Sequence, residues 1–156
     1  MILNEQIILR IAICLLGLFG FWVAKQIYKK KRSKNPFVCP IKFDCSSVVN
    51  SDYSRLFGIP LEILGMLYYG LVFMIYLFSS AYLYFSQNLP PNNLIIFMIA
   101  LSVFAFLFSL YLIWVQIFIL KKWCSWCFVS AFVSTLIFIL TYLTYDFGTV
   151  VQTIIQ

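Results

Sequence analysis

The chain is 156 residues long, 63% hydrophobic and 20% aromatic, with only 10% charged residues and a mean hydropathy of +0.98. A soluble domain carries about 45–50% apolar and about 25% charged residues, so this composition excludes a water-soluble globular domain, and the same apolarity excludes intrinsic disorder. The formal charge is +6, and five Cys stand against no His, so any acid–base or metal chemistry proceeds without imidazole.

The first apolar run covers residues 7–24 and holds one charge, Arg10, whose long side chain is expected to snorkel to the headgroups. A cleaved signal peptide is not expected, because no basic cluster precedes the run and no A-x-A-like site closes it. A loop from Lys25 to Glu62 follows. It is basic from Lys25 to Asn35, then carries two Cys, and its Tyr53 to Ile59 segment reads as a short interfacial helix ended by Gly58 and Pro60. The next 58 residues, 63–120, are uncharged, too long for one helix across a core of about 30 Å. The segment Ser86 to Asn93 breaks them with consecutive prolines and asparagines. Spans at residues 63–85 and 94–120 result, Lys121 and Lys122 end the latter, and a fourth run covers residues 123–145 and stops at Asp146. Tyr and Trp near the span ends suit the membrane interface. The expected fold is an all-α integral membrane protein, a four-transmembrane-helix bundle with a short interfacial half-helix in the first loop, forming one membrane domain over residues 1–156.

Chain parity then places the chemistry. Spans two and three cross away and back, so the first loop and the segment from Lys121 to Cys127 share one side of the membrane, side B. Cys39, Cys45, Cys124 and Cys127 therefore face one compartment or its interface, while Cys14 lies inside a span and is expected to pack as a small hydrophobe. Thiol exchange requires sulfurs that can touch. Cys124-Ser125-Trp126-Cys127 is a C-x-x-C at the start of a helix. Residues three apart share a helix face, and a helix N-terminus with nearby cations, here Lys121 and Lys122, favours the reactive thiolate. Cys127 lies one turn deeper, where a reducible lipid-soluble ligand would meet it. Cys39 and Cys45, in a loop with Pro36, Pro40 and Asp44, form a plausible carrier of electrons from a water-soluble partner to Cys124. Two other readings use the same thiols: a non-enzymatic four-cysteine metal module, disfavoured by the five-residue gap between Cys39 and Cys45, and a scaffold with static disulfides, which a membrane bundle does not need. No metal is expected. Phe104, Phe108, Tyr111, Trp114 and Phe128 are candidates for a flat aromatic pocket, and Gln116 is expected to face the bundle or its ligand.

The ordered set Cys39-Pro40, Asp44-Cys45-Ser46-Ser47-Val48-Val49-Asn50-Ser51, Tyr53-Ser54, Phe57-Gly58-Ile59-Pro60, Gly65-Met66-Leu67-Tyr68-Tyr69 and Lys122-Trp123-Cys124-Ser125-Trp126-Cys127 resembles the vitamin K epoxide reductase family in its prokaryotic single-domain form. The resemblance spans about Cys14 to Tyr145. It implies a four-helix bundle around a quinone (ubiquinone, menaquinone or related), capped by a half-helix, that generates disulfides. It implies that Cys39 meets a thioredoxin-fold thiol protein, Cys45 exchanges with Cys124, and Cys127 faces the quinone, with Ser51 and, less directly, Asn50 near the site. Many relatives carry a fused thioredoxin-like domain; this chain has none, so a separate partner is expected, besides membrane lipid, and no nucleic acid. Animal members carry a Tyr four residues after the last Cys where this chain has Ala131, which favours simple quinone reduction over epoxide reduction. Ten of the eleven basic residues lie on side B and only Arg10 on side A, which by the positive-inside rule puts side B in the cytoplasm. Disulfide persistence in oxidising compartments argues the reverse, and an extracytoplasmic face for the cysteines is the expectation, with the inverted orientation as its alternative.

Overall fold

The computed structural model describes residues 2–33, 39, 44–86, 91–145 and 155. Four helices are long and apolar enough to cross a membrane: α1 (Ile2–Arg32), α3 (Leu61–Ser86), α4 (Asn92–Trp114, continued by a wider π-helical turn over Val115–Leu120) and α5 (Ser125–Tyr145). A short helix α2 (Cys45–Val49), one 3₁₀ turn (Asp52–Ser54) and a hairpin of β1 (Arg55–Leu56) and β2 (Ile59–Pro60) lie between α1 and α3. The protein is thus the expected helical membrane bundle, with the small hairpin added.

In the bundle α1 packs most extensively on α3 and also on α5, and α5 packs on α4. Ile13, Tyr69, Val72, Tyr76, Met98, Val133 and Ile137 belong to its buried core. Without water to satisfy them, polar groups in the spans pair across helices. The Tyr69 hydroxyl donates to the Ser130 carbonyl at 2.7 Å, tying α3 to α5, and Tyr76 Oη lies 2.7 Å from Thr141 Oγ1. Gly20 lets α1 approach α3 at this level, since a Cβ there would come within 2.5 Å of the Tyr69 ring.

Three sequence expectations are corrected. Arg10 does not snorkel: it is 0% exposed, its Nη1 donates to Ser79 Oγ and its guanidinium sits 5.4 Å from the Tyr145 ring centroid. The hydroxyl and ring provide partners inside the bundle, so the side chain turns inward. The first loop does not begin at Lys25, because α1 runs on to Arg32. Lys, Gln and Arg are good helix formers, and cations in a last turn complement the helix dipole. The interfacial half-helix lies at Cys45–Val49 rather than Tyr53 to Ile59. Asp44 caps it by accepting from Ser47 N at 3.2 Å, whereas Phe57 (φ +52°) and Gly58 (φ +82°) are both left-handed. Two such residues cannot continue a right-handed helix and instead make a type I′-like hairpin turn.

The other boundaries follow the sequence. α3 ends at Ser86 and Pro91 caps α4, while Gln87 to Pro90 and Asp146 lie outside the described residues, as do Lys34, Pro36, Pro40 and Lys42. Lys121, left-handed at φ +50°, terminates the third span.

Candidate active site

Cys39 and Cys45 form a disulfide with their Cα atoms 5.9 Å apart. Cys124, Cys127 and Cys14 are free thiols. Cys14 is buried against α3, its sulfur 4.0 Å from the Phe73 carbonyl, and takes no part in the site. The other four meet at one rim of the bundle: Cys39, Cys45 and Cys124 belong to a single buried cluster with Val23, Ile27, Val48 and Val49, and Cys127 packs against it. Parity had required a common side; the fold adds a shared buried cluster.

Each sulfur is positioned by its helix end. Asp44 caps α2, so Cys45 opens that helix with its side chain 0% exposed against the fourth span. Cys124 directly precedes α5, and its carbonyl accepts the first bond of that helix, from Phe128 N at 3.1 Å. Its sulfur accepts from Cys127 N at 3.4 Å and from Cys127 Sγ at 2.7 Å. The Cys127 thiol's hydrogen bond, more than the backbone N–H groups, holds the Cys124 thiol below its ordinary range, against the opposing effect of burial. Ser125, between the two pairs, donates to Cys39 Sγ at 3.4 Å and lies 4.0 Å from Cys45 Sγ.

Charged residues clasp the parts together. Lys122 pairs with Asp44 at 3.0 Å, joining the residue before Cys45 to the segment before Cys124, and with help from the Ser47 hydroxyl it holds the Asp44 carboxyl well below the usual carboxylate range. Lys31, near the end of α1, reaches Glu62 Oε1 at 3.1 Å and Ser54 Oγ at 3.3 Å. Lys30 lies 4.6 Å from the Trp126 ring centroid.

Cys127 opens onto a mostly apolar cleft of about 120 Å³. Val49, Ser51, Glu62, Gln116, Cys127 and Ala131 are among its lining residues. Among the described residues two buried oxygens there have no hydrogen-bond partner, Gln116 Oε1 and Glu62 Oε2, and the Gln116 side chain is close enough to interact with the Cys127 sulfur. The π-helical turn at Val115–Leu120 carries Gln116; such turns recur at functional sites.

Of the sequence candidates, Ser51 and Cys127 line the cleft, as does Gln116. Asn50 does not: it is exposed, and its amide donates back to the Ser46 carbonyl at 2.9 Å. The aromatic candidates do not line it either. Phe104, Tyr111 and Trp114 are 67%, 49% and 51% exposed on the outer face of α4, Phe108 lies between Phe104 and Tyr111, and Phe128 stacks on Trp123. On α4 the helical spacing that made Phe104, Tyr111 and Trp114 look like one wall turns them away from the bundle. Glu62 and Ser125 were missed. Glu62 carried a signal, an acid at the first turn of a membrane span, and Ser125 carried only its place inside the C-x-x-C.

No curated protein matches the chain. The sequence model of the vitamin K epoxide reductase family matches residues 8–142, a range that includes all four clustered sulfurs and the cleft. A membrane bundle with a buried four-cysteine rim, matched over this length, is a multi-pass membrane thiol–disulfide oxidoreductase, and the chain belongs to the vitamin K epoxide reductase family.

Proposed function

We propose that the chain is a dithiol:quinone oxidoreductase that makes disulfides. In this reading Cys39 takes electrons from a separate thioredoxin-fold thiol protein, Cys45 exchanges with Cys124, and Cys127 hands the electron pair to the quinone pool. The observation that carries it is the gathering of two redox pairs, one oxidised and one reduced, in one buried cluster, with Cys127 opening onto an apolar cleft.

The cleft suits a quinone ring. Its walls are mostly apolar, Gln116 Oε1, unpaired among the described residues, is an acceptor suited to a hydroxyl of the reduced ring, the Ser51 hydroxyl is already turned to the Val48 carbonyl at 2.7 Å, and Ala131 is a small lining residue. A bound quinone would accept two electrons and two protons. The chain's part is to form the Cys124–Cys127 bond, which releases that electron pair and both thiol protons. Cys124, held towards its thiolate, is the sulfur suited to exchange with Cys45. Cys127, which lines the cleft, faces the oxidant.

For orientation, the buried Arg10 changes the weights. It was the one cation on side A, and inside the bundle it does not face the headgroups. Every other Lys and Arg then lies on side B. The extracytoplasmic expectation rested on the compartment's oxidising power, which this reaction draws from quinone instead. We therefore assign side B, with the thiols, to the cytoplasm.

The mechanism is tested with purified protein given dithiothreitol and a soluble quinone. Cys127→Ser is expected to abolish quinone reduction, whereas Cys39→Ser blocks only the protein-driven reaction. Unchanged turnover in Cys127→Ser excludes the mechanism. Stoichiometric zinc in the purified protein, with no redox cycling, would instead favour the four-cysteine metal module. Labelling in intact cells with a membrane-impermeant thiol reagent, after reduction, tests the side: labelled Cys39 places the thiols outside.

A further inference from the structure

Ser125 sits inside the C-x-x-C yet bonds the other pair: its hydroxyl donates to Cys39 Sγ at 3.4 Å, with Cys45 Sγ at 4.0 Å. A divalent disulfide sulfur is a weak acceptor, while a thiolate is a strong one, and hydrogen bonds to ionised groups are about twice as strong as neutral ones. The contact therefore gains strength when the loop disulfide opens. We propose that Ser125 is a catalytic residue of the relay, its hydroxyl stabilising the negative charge that appears on the Cys39 sulfur during exchange between the two pairs. The proposal rests on the reading that the pairs exchange electrons.

The step balances as follows. With the loop pair reduced and Cys124–Cys127 oxidised, the Cys45 thiolate attacks Cys124 Sγ; the Cys45–Cys124 bond forms, the Cys124–Cys127 bond breaks, and Cys127 leaves as a thiolate that takes up a proton. Cys39 then loses its proton and attacks Cys45 Sγ. The Cys39–Cys45 bond forms and Cys124 leaves as a thiolate. The loop pair has been oxidised by two electrons and the C-x-x-C reduced by two, which is the state of the described structure. In the last step charge resides on Cys39 before attack and reaches Cys124 after it. Ser125 touches the sulfur where it starts, and the Cys127 thiol touches the sulfur where it ends. Because Cys39 gives up its charge in this step, Ser125 acts by raising the fraction of Cys39 present as thiolate, and it favours Cys39 as leaving group when the same step runs in reverse.

The test uses the full-length protein in a Cys127→Ser background, in which Cys124 lacks its own partner, the Cys45–Cys124 adduct with free Cys39 exchanges only with the loop disulfide, and acid quenching captures it for analysis. The pH profile of Cys39 alkylation in that adduct is read by mass spectrometry. Among the described residues the charged groups facing this region, Asp44 with Lys122 and Lys30 over Trp126, are untouched by the substitutions. Ser125→Ala is expected to move the Cys39 midpoint up by about one pH unit and, below that midpoint, slow adduct resolution about three- to fourfold, because the more basic thiolate that remains is the better nucleophile. The isosteric pair Ser125→Thr and Ser125→Val isolates the hydroxyl should Ala perturb the helix start: Thr should keep the parent midpoint and Val should shift it. An adduct whose Cys39 midpoint is the same in Ser, Thr and Val overturns the role of Ser125 alone. Failure of Cys127→Ser with Ser125 intact to form any Cys45–Cys124 adduct overturns the relay and this proposal together.

Discussion

Cys124 shows how one residue's surroundings convert a fold into reactivity. It has no side-chain exposure, and burial alone would disfavour its thiolate. The Cys127 thiol and backbone N–H groups at the start of α5 outweigh burial and lower its titration. A thiol depressed in the folded state stays charged as the pH drops, until the pH falls through the lowered value. In the reduced protein, alkylation of Cys124 by a small neutral reagent should therefore show a midpoint below the free-cysteine value of about 8.5. Cys127→Ala should move that midpoint up, because it removes the largest favourable contribution; an unmoved midpoint would contradict the assignment. Asp44 gives a second residue-level test. Its pair with Lys122 is solvent-exposed, and exposed pairs are screened by salt. Asp44→Asn should slow exchange between the loop pair and the C-x-x-C severalfold at low ionic strength, with the difference shrinking near 1 M salt. Because the carboxyl is depressed, the clasp should persist as the pH falls below about 4, where a free Asp would be half-protonated.

At the scale of elements, the contact between α1 and α3 rests on one close approach. Gly20 faces the Tyr69 ring with no room for a Cβ, and Tyr69 is itself fixed by hydrogen bonds to Ser130 on α5. Gly20→Ala should gain helix propensity but force the ring aside. The expected result is a net loss of about 1–3 kcal/mol, measured as a lower unfolding midpoint in detergent, whereas Gly65→Ala, whose Cβ would meet Ala24 at 3.6 Å, should be tolerated. Span positions were legible in the sequence because apolar length and charged ends decide them, independent of partners. The half-helix was not. Asp44-Cys45-Ser46-Ser47 is a good cap signal, but Gly58-Ile59-Pro60 looked like a helix stop when it is the closing side of a hairpin. Local turn chemistry there depended on Phe57 taking a left-handed conformation, which a bulky residue rarely does.

Across the whole molecule, buried charge is handled differently at the two ends of the bundle. Near the thiols, Lys31 from α1 meets Glu62 from α3, with side-chain exposures of 17% and 5%. Removing one partner of such a pair leaves an uncompensated charge, so Lys31→Met should cost about 3–5 kcal/mol, while Lys31→Met with Glu62→Leu should recover most of it. Equal stability of the single and double variants would show the pair to be solvated. At the far end Arg10 has a hydroxyl and an aromatic ring in place of a carboxylate among its described contacts. That arrangement could not be read from one arginine in an apolar run, because Ser79 and Tyr145, which make it tenable, lie on other helices. The gathering of the four sulfurs was readable, since chain parity and C-x-x-C spacing depend on no side-chain detail. Which aromatics line the cleft was not, because a helix as evenly apolar as α4 carries no stripe to show its inward face.

The loop pair is sheltered as well as reactive: Cys39 is 7% exposed and Cys45 is fully covered. In the proposed relay a folded thiol protein would reach either sulfur only once the rim parts. Oxidation of such a client should then plateau at a ceiling set by that parting, however much client is supplied, while a slender dithiol keeps accelerating well beyond it.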